Sequence, residues 1–281
     1  MNNFKERTFQ IIFTLAASAS ILSVFLICLF LFAKGIPTVA KIGPLKFLLG
    51  TSWKPLNNVF GILPMIVASI YVTIGSIIVG VPLGLLTAIY LAYFCPPKLH
   101  TVLKPGVELL AGIPSIVYGF FGLVVLVPIL QRIGAGKSIL TASLLLGIMI
   151  LPTIINVAET SLKSVPDSYY HGALALGATH ERAVFSVLVP AARSGIVAGI
   201  ILGVGRAIGE TMAVIMVAGN QPILPRGLFK GVRTLTANIV LEMGYATDLH
   251  REALIATGMV LFIFILIINL LFSLLNQEAR S

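Results

Sequence analysis

Within the run GVGRAIGETMAV, Gly203 to Val214, an arginine and a glutamate stand four residues apart in an otherwise uncharged stretch. On a continuous helix that spacing sets Arg206 and Glu210 on one face. Each charge costs ~3 kcal/mol near the middle of a membrane, so such residues face a bundle interior or a watery path. A buried guanidinium suits an oxyanion, because its planar fork donates two parallel hydrogen bonds to phosphate-like oxygens. The expectation is that Arg206 lines an anion path, Glu210 positions it and Thr211 lies nearby. The competing reading is an ion pair that only locks two helices. A second polar pair, Asn156 and Glu159, lies three apart near the end of an apolar segment; its expected role is structural. At Gly112-Ile113-Pro114-Ser115 the expectation is a simple kink.

Other chemistry is missing. Gly134-Ala135-Gly136-Lys137-Ser138 looks like the end of a phosphate-cradling loop, but Gln131 stands where that loop requires its first glycine. His100, His171, His180 and His250 are scattered without metal-ligand spacing. Cys28 and Cys95 define neither a disulfide framework nor a metal site. No nucleophile has a base and an orienting partner. No catalytic centre, metal or directly bound cofactor is expected, and nothing points to nucleic acid.

The elements that must carry these residues follow from composition. Of 281 residues, 58% are hydrophobic and 10% charged, against about 25% charged in a soluble domain. Six windows are long enough to cross a bilayer, for which about 20 helical residues are needed. They are Ile11–Ala33, Gly61–Phe94, Leu109–Gln131, Ser138–Ala158, Ser194–Asn220 (interrupted by Arg206 and Glu210) and Ala253–Gln277. In the second, the spanning helix is expected from about Ile66 to Tyr93, with the residues before it at the interface. Strand-like alternation is absent. An all-α membrane protein with six transmembrane helices, embedded in the lipid bilayer, is the expected fold class. The first window is longer than a signal-peptide core, so a retained span is expected.

Nineteen Lys and Arg against ten Asp and Glu give a net charge of +9. With the N-terminus inside, eight of the basic residues fall in inner segments and ten in outer ones, with Arg206 inside a span. The positive-inside rule therefore leaves topology open. Trp53, the single tryptophan, is expected at the lipid–water boundary. Pro96-Pro97 stops the second helix, and a tight turn forms around Gly134 and Gly136. Gly195, Gly199 and Gly203, four residues apart, read as a small-residue face for close helix packing. The segment Tyr170 to Pro190 is polar-edged yet carries the helix-forming run Ala173 to Leu176 before Gly177. A short, sharply turned helix outside the bilayer offers a partner protein something rigid to grip.

The last segment carries a resemblance. His171-Gly172-Ala173, Gly177 and Val187-Leu188-Val189-Pro190 resemble the EAA loop of ABC importer permeases, which reads Glu-Ala-Ala, three residues, Gly, nine residues, Ile, one residue, Leu-Pro. His171 replaces the family's glutamate and Gly172 an alanine, so the glutamate's contact to the ATPase does not carry over to His171. Over nearly the full length the chain is similar to the PstC-type permeases of phosphate importers, through Phe47 to Trp53, Glu108 to Ser115 and Gly205 to Thr211. The resemblance implies a type I importer permease (MetI-like) fold in the bacterial inner membrane with both termini cytoplasmic. It implies residues 1–60 as tail, first span and external loop, and 61–281 as a five-helix core with its coupling loop at about 164–190. The implied partners are a PstA-type permease, two PstB-type ATPase subunits and an external PstS-type phosphate-binding protein, with ATP used by the ATPase subunits. The coupling residues implied are Tyr170, His171, Gly172, Ala173, Gly177 and Pro190. A permease for molybdate, sulfate or an amino acid, an ion-coupled carrier and a membrane scaffold are the alternatives.

Overall fold

A computed structural model describes residues 3–278, and the expected cytoplasmic placement of the termini falls on ends that lie outside the described residues. Almost every element is helical. Helix α1 (Asn3–Ile42) leads through α2 (Pro44–Leu49) to a two-strand hairpin, β1 (Trp53–Lys54) and β2 (Val59–Phe60). Helices α3 (Leu63–Ile89), α4 (Pro97–Gly112), α5 (Ser115–Phe121) and α6 (Val127–Gln131) follow. Then come the long α7 (Ile139–Lys163), α8 (Asp167–Ala175), α9 (His180–Ala183) and α10 (Val189–Ala191). The chain continues through α11 (Arg193–Gly209), α12 (Met212–Val217) and α13 (Leu235–Met243) to α14 (Asp248–Glu278).

Four continuous helical stretches are long and apolar enough to cross a membrane: α1, α3 with its extension to Phe94, α7 and α14. Two helix pairs meet the same test only when taken together, and they are bent by 97° between Pro97–Gly112 and Ser115–Gln131 and by 69° between His180–Ala191 and Arg193–Gly209, for up to six spans in all. Four of the expected windows thus lie on continuous helices, the third bends at Ile113–Pro114, and the fifth, Ser194–Asn220, breaks at Glu210 between α11 and α12.

The largest correction concerns the third window, Leu109–Gln131. The expected kink is a near right angle. Pro114 biases the residue before it away from helical geometry, and Ile113 is extended at φ −68°, ψ 126°. The 16-residue α4 therefore runs as a separate amphipathic helix with no fully buried residue. The second span begins at Leu63 rather than near Ile66, because Pro64 is tolerated in a first turn and the Ile62 carbonyl already accepts from the Met65 and Ile66 amides. Three π-helical turns, Tyr90–Phe94, Gly122–Leu126 and Val184–Leu188, each end two residues before a proline, Pro96, Pro128 and Pro190. Widening the turn relieves the clash and the missing donor that proline brings to a regular helix.

The main core surrounds α7, where Leu145, Leu146, Met149, Ile150 and Ile154 are sealed against Ala68 and Val72 of α3 and Ala213 to Val217 of α12. Helix α3 runs parallel to α7 (Gly75 opposite Ser143, Gly84 opposite Ile154), and α11 runs antiparallel (Gly195 opposite Ser161, Gly203 opposite Ile154). The predicted glycine face of α11 is the one that packs on α7: a Cβ on Gly199 would stand 3.1 Å from the Val157 Cβ. By contrast α1 touches little but α14, through Gly35 against Met259 and Phe32 against Phe262. Its outward row of exposed Phe, Ile and Leu side chains is a lipid-facing surface.

Replacing Gly199 by Leu forces α11 and α7 apart; the expected cost is about 1–3 kcal/mol of overpacking, read as a lower melting midpoint in detergent. Gly205, whose added Cβ would meet nothing within 4 Å, should accept Ala without loss. Equal behaviour of the two variants would refute this packing.

Candidate functional site

Arg206 sits in the last turn of α11, half-buried, and its Nη1 donates to Thr153 Oγ1 of α7 at 3.3 Å. Glu210 is not its partner. The helix stops at Gly209, and Glu210 is extended at φ −69°, ψ 131°, so the shared helical face expected from the i, i+4 spacing does not exist. Glu210 instead folds its carboxylate over the start of α12, where Oε1 accepts from the amides of Thr211 (3.0 Å) and Ala213 (3.2 Å). Those amides lack intrahelical acceptors, and a carboxylate is the group that best satisfies them. The Glu210 carbonyl accepts from Thr236 Oγ1 at 3.1 Å, and Thr211 Oγ1 donates to the Gly209 carbonyl. The break is therefore held from both sides, with Arg206 just before it. Among the described residues no ion pair joins Arg206 to Glu210.

The pair Asn156 and Glu159 proves richer than its sequence suggests. Glu159 is nearly sealed from solvent, and its carboxylate meets Lys104 Nζ of α4 (2.8 Å), Lys163 Nζ (2.7 Å) and His100 Nε2 (2.9 Å). Lys104 also donates to Asn156 Oδ1 at 2.8 Å. This cluster ties the amphipathic α4 to the end of α7 that leads into α8. The sequence reading missed Thr153, His100 and Lys104. The available signal was the set Thr153, Asn156, Thr160 and Lys163, spaced i, i+3, i+7 and i+10 along one face of an otherwise apolar helix.

At the same end lies the segment expected to couple to an ATPase. Helix α8 carries Tyr170, His171, Gly172 and Ala173, and the chain reverses at Gly177, whose φ of +84° is open to glycine at little cost. Leu176 at the tip is 92% exposed. Tyr170 Oη pairs with His180 Nδ1 at 2.9 Å and fixes α8 against α9. His171 and Gly172 are exposed; Pro190 follows the π turn that leads into α11.

At the opposite end, Trp53 is not a boundary residue but part of a buried polar cluster. Its Nε1 donates to Glu242 Oε2 at 2.8 Å, and Glu242 also meets His250 Nε2 (2.8 Å) and Arg233. Trp53, Phe60 and Tyr245 ring His250. The cluster pins the hairpin, α13 and the start of α14 together.

Several helices long and apolar enough to cross a membrane, a half-buried arginine beside the break between α11 and α12, and an exposed helical tip at one end fit a transport permease. Solved importer structures share the fold. An inward-facing MetNI methionine ABC transporter superposes with a TM-score of 0.64 at 19% identity, covering 81% of this chain and 99% of that one. A bacterial alginate ABC transporter gives 0.62 at 14% identity, covering 98% and 100%. The probable ABC transporter permease protein YqgH of Bacillus subtilis is 40% identical over 94% of this chain and 90% of its own length. The phosphate transport system permease protein PstC of Mesorhizobium japonicum is 35% identical over 84% and 80%. The chain belongs to the family described as binding-protein-dependent transport system inner membrane component, matched over residues 80–281. It is a multi-pass inner-membrane permease subunit of an ABC importer, itself non-catalytic, and it works with ATPase and binding-protein partners.

Glu242→Gln should strip the counter-charge from Arg233 and His250, at a cost of about 3 kcal/mol for a broken buried ion pair. The measurement is thermal unfolding followed by the emission of Trp53, the single tryptophan, with a lower midpoint and a red-shifted folded spectrum expected. An unchanged midpoint and spectrum would remove the cluster from the account of stability.

Proposed function

We propose that this chain is the PstC-type permease of an ATP-driven phosphate importer, with Arg206 lining the path and Glu210 and Thr211 shaping the break beside it. The observation that carries the reading is Arg206 itself. It is a half-buried guanidinium in a spanning helix, and among the described residues its side-chain hydrogen bond is a single long one, to Thr153. A guanidinium has five donors, so most of its fork remains available for an oxyanion. Glu210 is occupied with the α12 amides and does not compete for that fork. The 35% identity to a permease named for phosphate transport supports the choice of solute.

In this reading residues 61–281 are the five-helix permease core, and residues 1–60 are the N-terminal tail, first transmembrane helix and first external loop. A PstA-type permease completes the path, and an external PstS-type protein delivers phosphate. Of the two PstB-type ATPase subunits, one grips α8 and the Ala173–Gly177 turn on the cytoplasmic side, where both termini also lie. The exposed Leu176 and the reversal at Gly177 suit a short helix seated in a groove.

In the assembled importer, Arg206→Gln should reduce labelled-phosphate uptake by about tenfold or more, equivalent to a lost charge-assisted hydrogen bond of about 1.5–3 kcal/mol. Uptake at the unaltered rate would take Arg206 out of the path. Molybdate or sulfate that competes with labelled phosphate at equal concentration would replace phosphate as the solute. Separately, Gly177→Trp should leave the complex inserted while ATP hydrolysis no longer drives uptake, since a left-handed turn is strained for a residue with a Cβ. Normal coupling in that variant would move the ATPase contact elsewhere.

A further inference from the structure

The polar stripe on α7 is an oddity that the fold makes conspicuous. Two faces of this helix are consumed by α3 and α11, and most of its side chains are fully buried. Thr153, Asn156, Thr160 and Lys163 lie instead along one incompletely covered strip, about 15 Å from first to last at 1.5 Å per residue. Polar residues on a spanning helix are costly against lipid and belong against protein or a water-filled passage. Cations from two neighbouring helices reach the strip: Arg206 of α11 at Thr153, and Lys104 of α4 at Asn156. Lys163 closes its far end.

The geometry points to a second oxyanion station, formed by Lys104 and Lys163, at the end of this strip nearest α8. The inference rests on the anion-path reading of Arg206 and extends it: the solute leaves the guanidinium and passes along α7 to a pair of ammonium groups before release. Charge and hydrogen-bond capacity both favour this. Two ammonium groups face one carboxylate, Glu159, which among the described residues leaves one positive charge without a counter-ion. Each ammonium has three donors; Lys104 directs two of them at Asn156 Oδ1 and Glu159 Oε2, and the third is available to a phosphate oxygen. Glu159 holds the two lysines in place, and its burial keeps the carboxylate itself away from a passing anion. His100 Nε2 abuts both Glu159 and Lys163 and fills the side of the cluster toward α4.

The test uses the assembled importer in membrane vesicles with Cys28 and Cys95 replaced by Ser and a single reporter, Thr160→Cys, on the exposed part of the strip. Its labelling rate is measured with an anionic and a cationic methanethiosulfonate of similar size. A positive local field should make the anionic reagent about tenfold faster. Inorganic phosphate should slow that reaction, Lys104→Gln should abolish the preference, and Lys104→Arg should retain it. Lys163→Gln serves as the second variant should Lys104→Gln fail to assemble. Equal rates for the two reagents, or a preference untouched by loss of either lysine, would leave the cluster as a clamp between α4 and α7 and overturn the station. A preference that persists while Arg206→Gln transports normally would keep the station and dismiss the guanidinium, so the two readings fail separately.

Discussion

Helix α7 can serve as the axis of this molecule only because its neighbours come close enough to exclude everything else. On one side α3 approaches until a Cβ on Gly80 would lie 2.7 Å from Ile150. On the other, α11 lays its glycine face over Val157 and Ser161. Inside a bilayer there is little hydrophobic force between helices, and close van der Waals contact between backbones has to hold them. With those two faces filled, Thr153, Asn156, Thr160 and Lys163 are left together on one incompletely covered strip of α7. Packing and the proposed solute path thus draw on one arrangement.

The breaks in the spans follow a common logic. A helix interrupted in a membrane exposes donors and acceptors that lipid cannot satisfy. Here each interruption is closed by a named group. Glu210 covers the amides of α12, and Thr236 donates to the Glu210 carbonyl. Tyr118 donates to the Leu110 carbonyl across the bend between α4 and α5 at 2.8 Å. The first turn of α7 receives the Val217, Lys230 and Leu228 carbonyls at its Ser138, Ile139 and Leu140 amides. A broken helix built this way is rigid on both sides of its break, which lets it present Arg206 at a fixed place.

Two carboxylates organise the two ends. Glu242 gathers Trp53, Arg233 and His250 where the hairpin meets α13 and α14, and Glu159 gathers Lys104, Lys163 and His100 where α4 meets α7. Each joins elements far apart in sequence. Each is also a place where movement of one helix must be felt by another, since parting a buried carboxylate from its cations is costly. The Glu159 cluster stands next to α8, the helix proposed to meet the ATPase.

Much of this was legible in the residues. Hydropathy and length alone set the number of spans, because a bilayer demands about 20 apolar residues whatever the fold. The four-residue glycine spacing on α11 and the turn at Gly177 came from local rules that hold wherever the segment lies. What the chain could not reveal were the partners. Arg206 and Glu210 looked paired because four residues on an unbroken helix share a face; the break at Gly209, stabilised by contacts to α12 and Thr236, sent them apart. Trp53 looked like an interfacial residue because its acceptor, Glu242, is 189 positions away. Lys104 meets Glu159 from 55 positions away, because the near right angle at Pro114 lays α4 against α7. Periodicity and composition act within a segment, whereas a buried ion pair or a helix break depends on which other segment arrives there, and only the assembled bundle decides that.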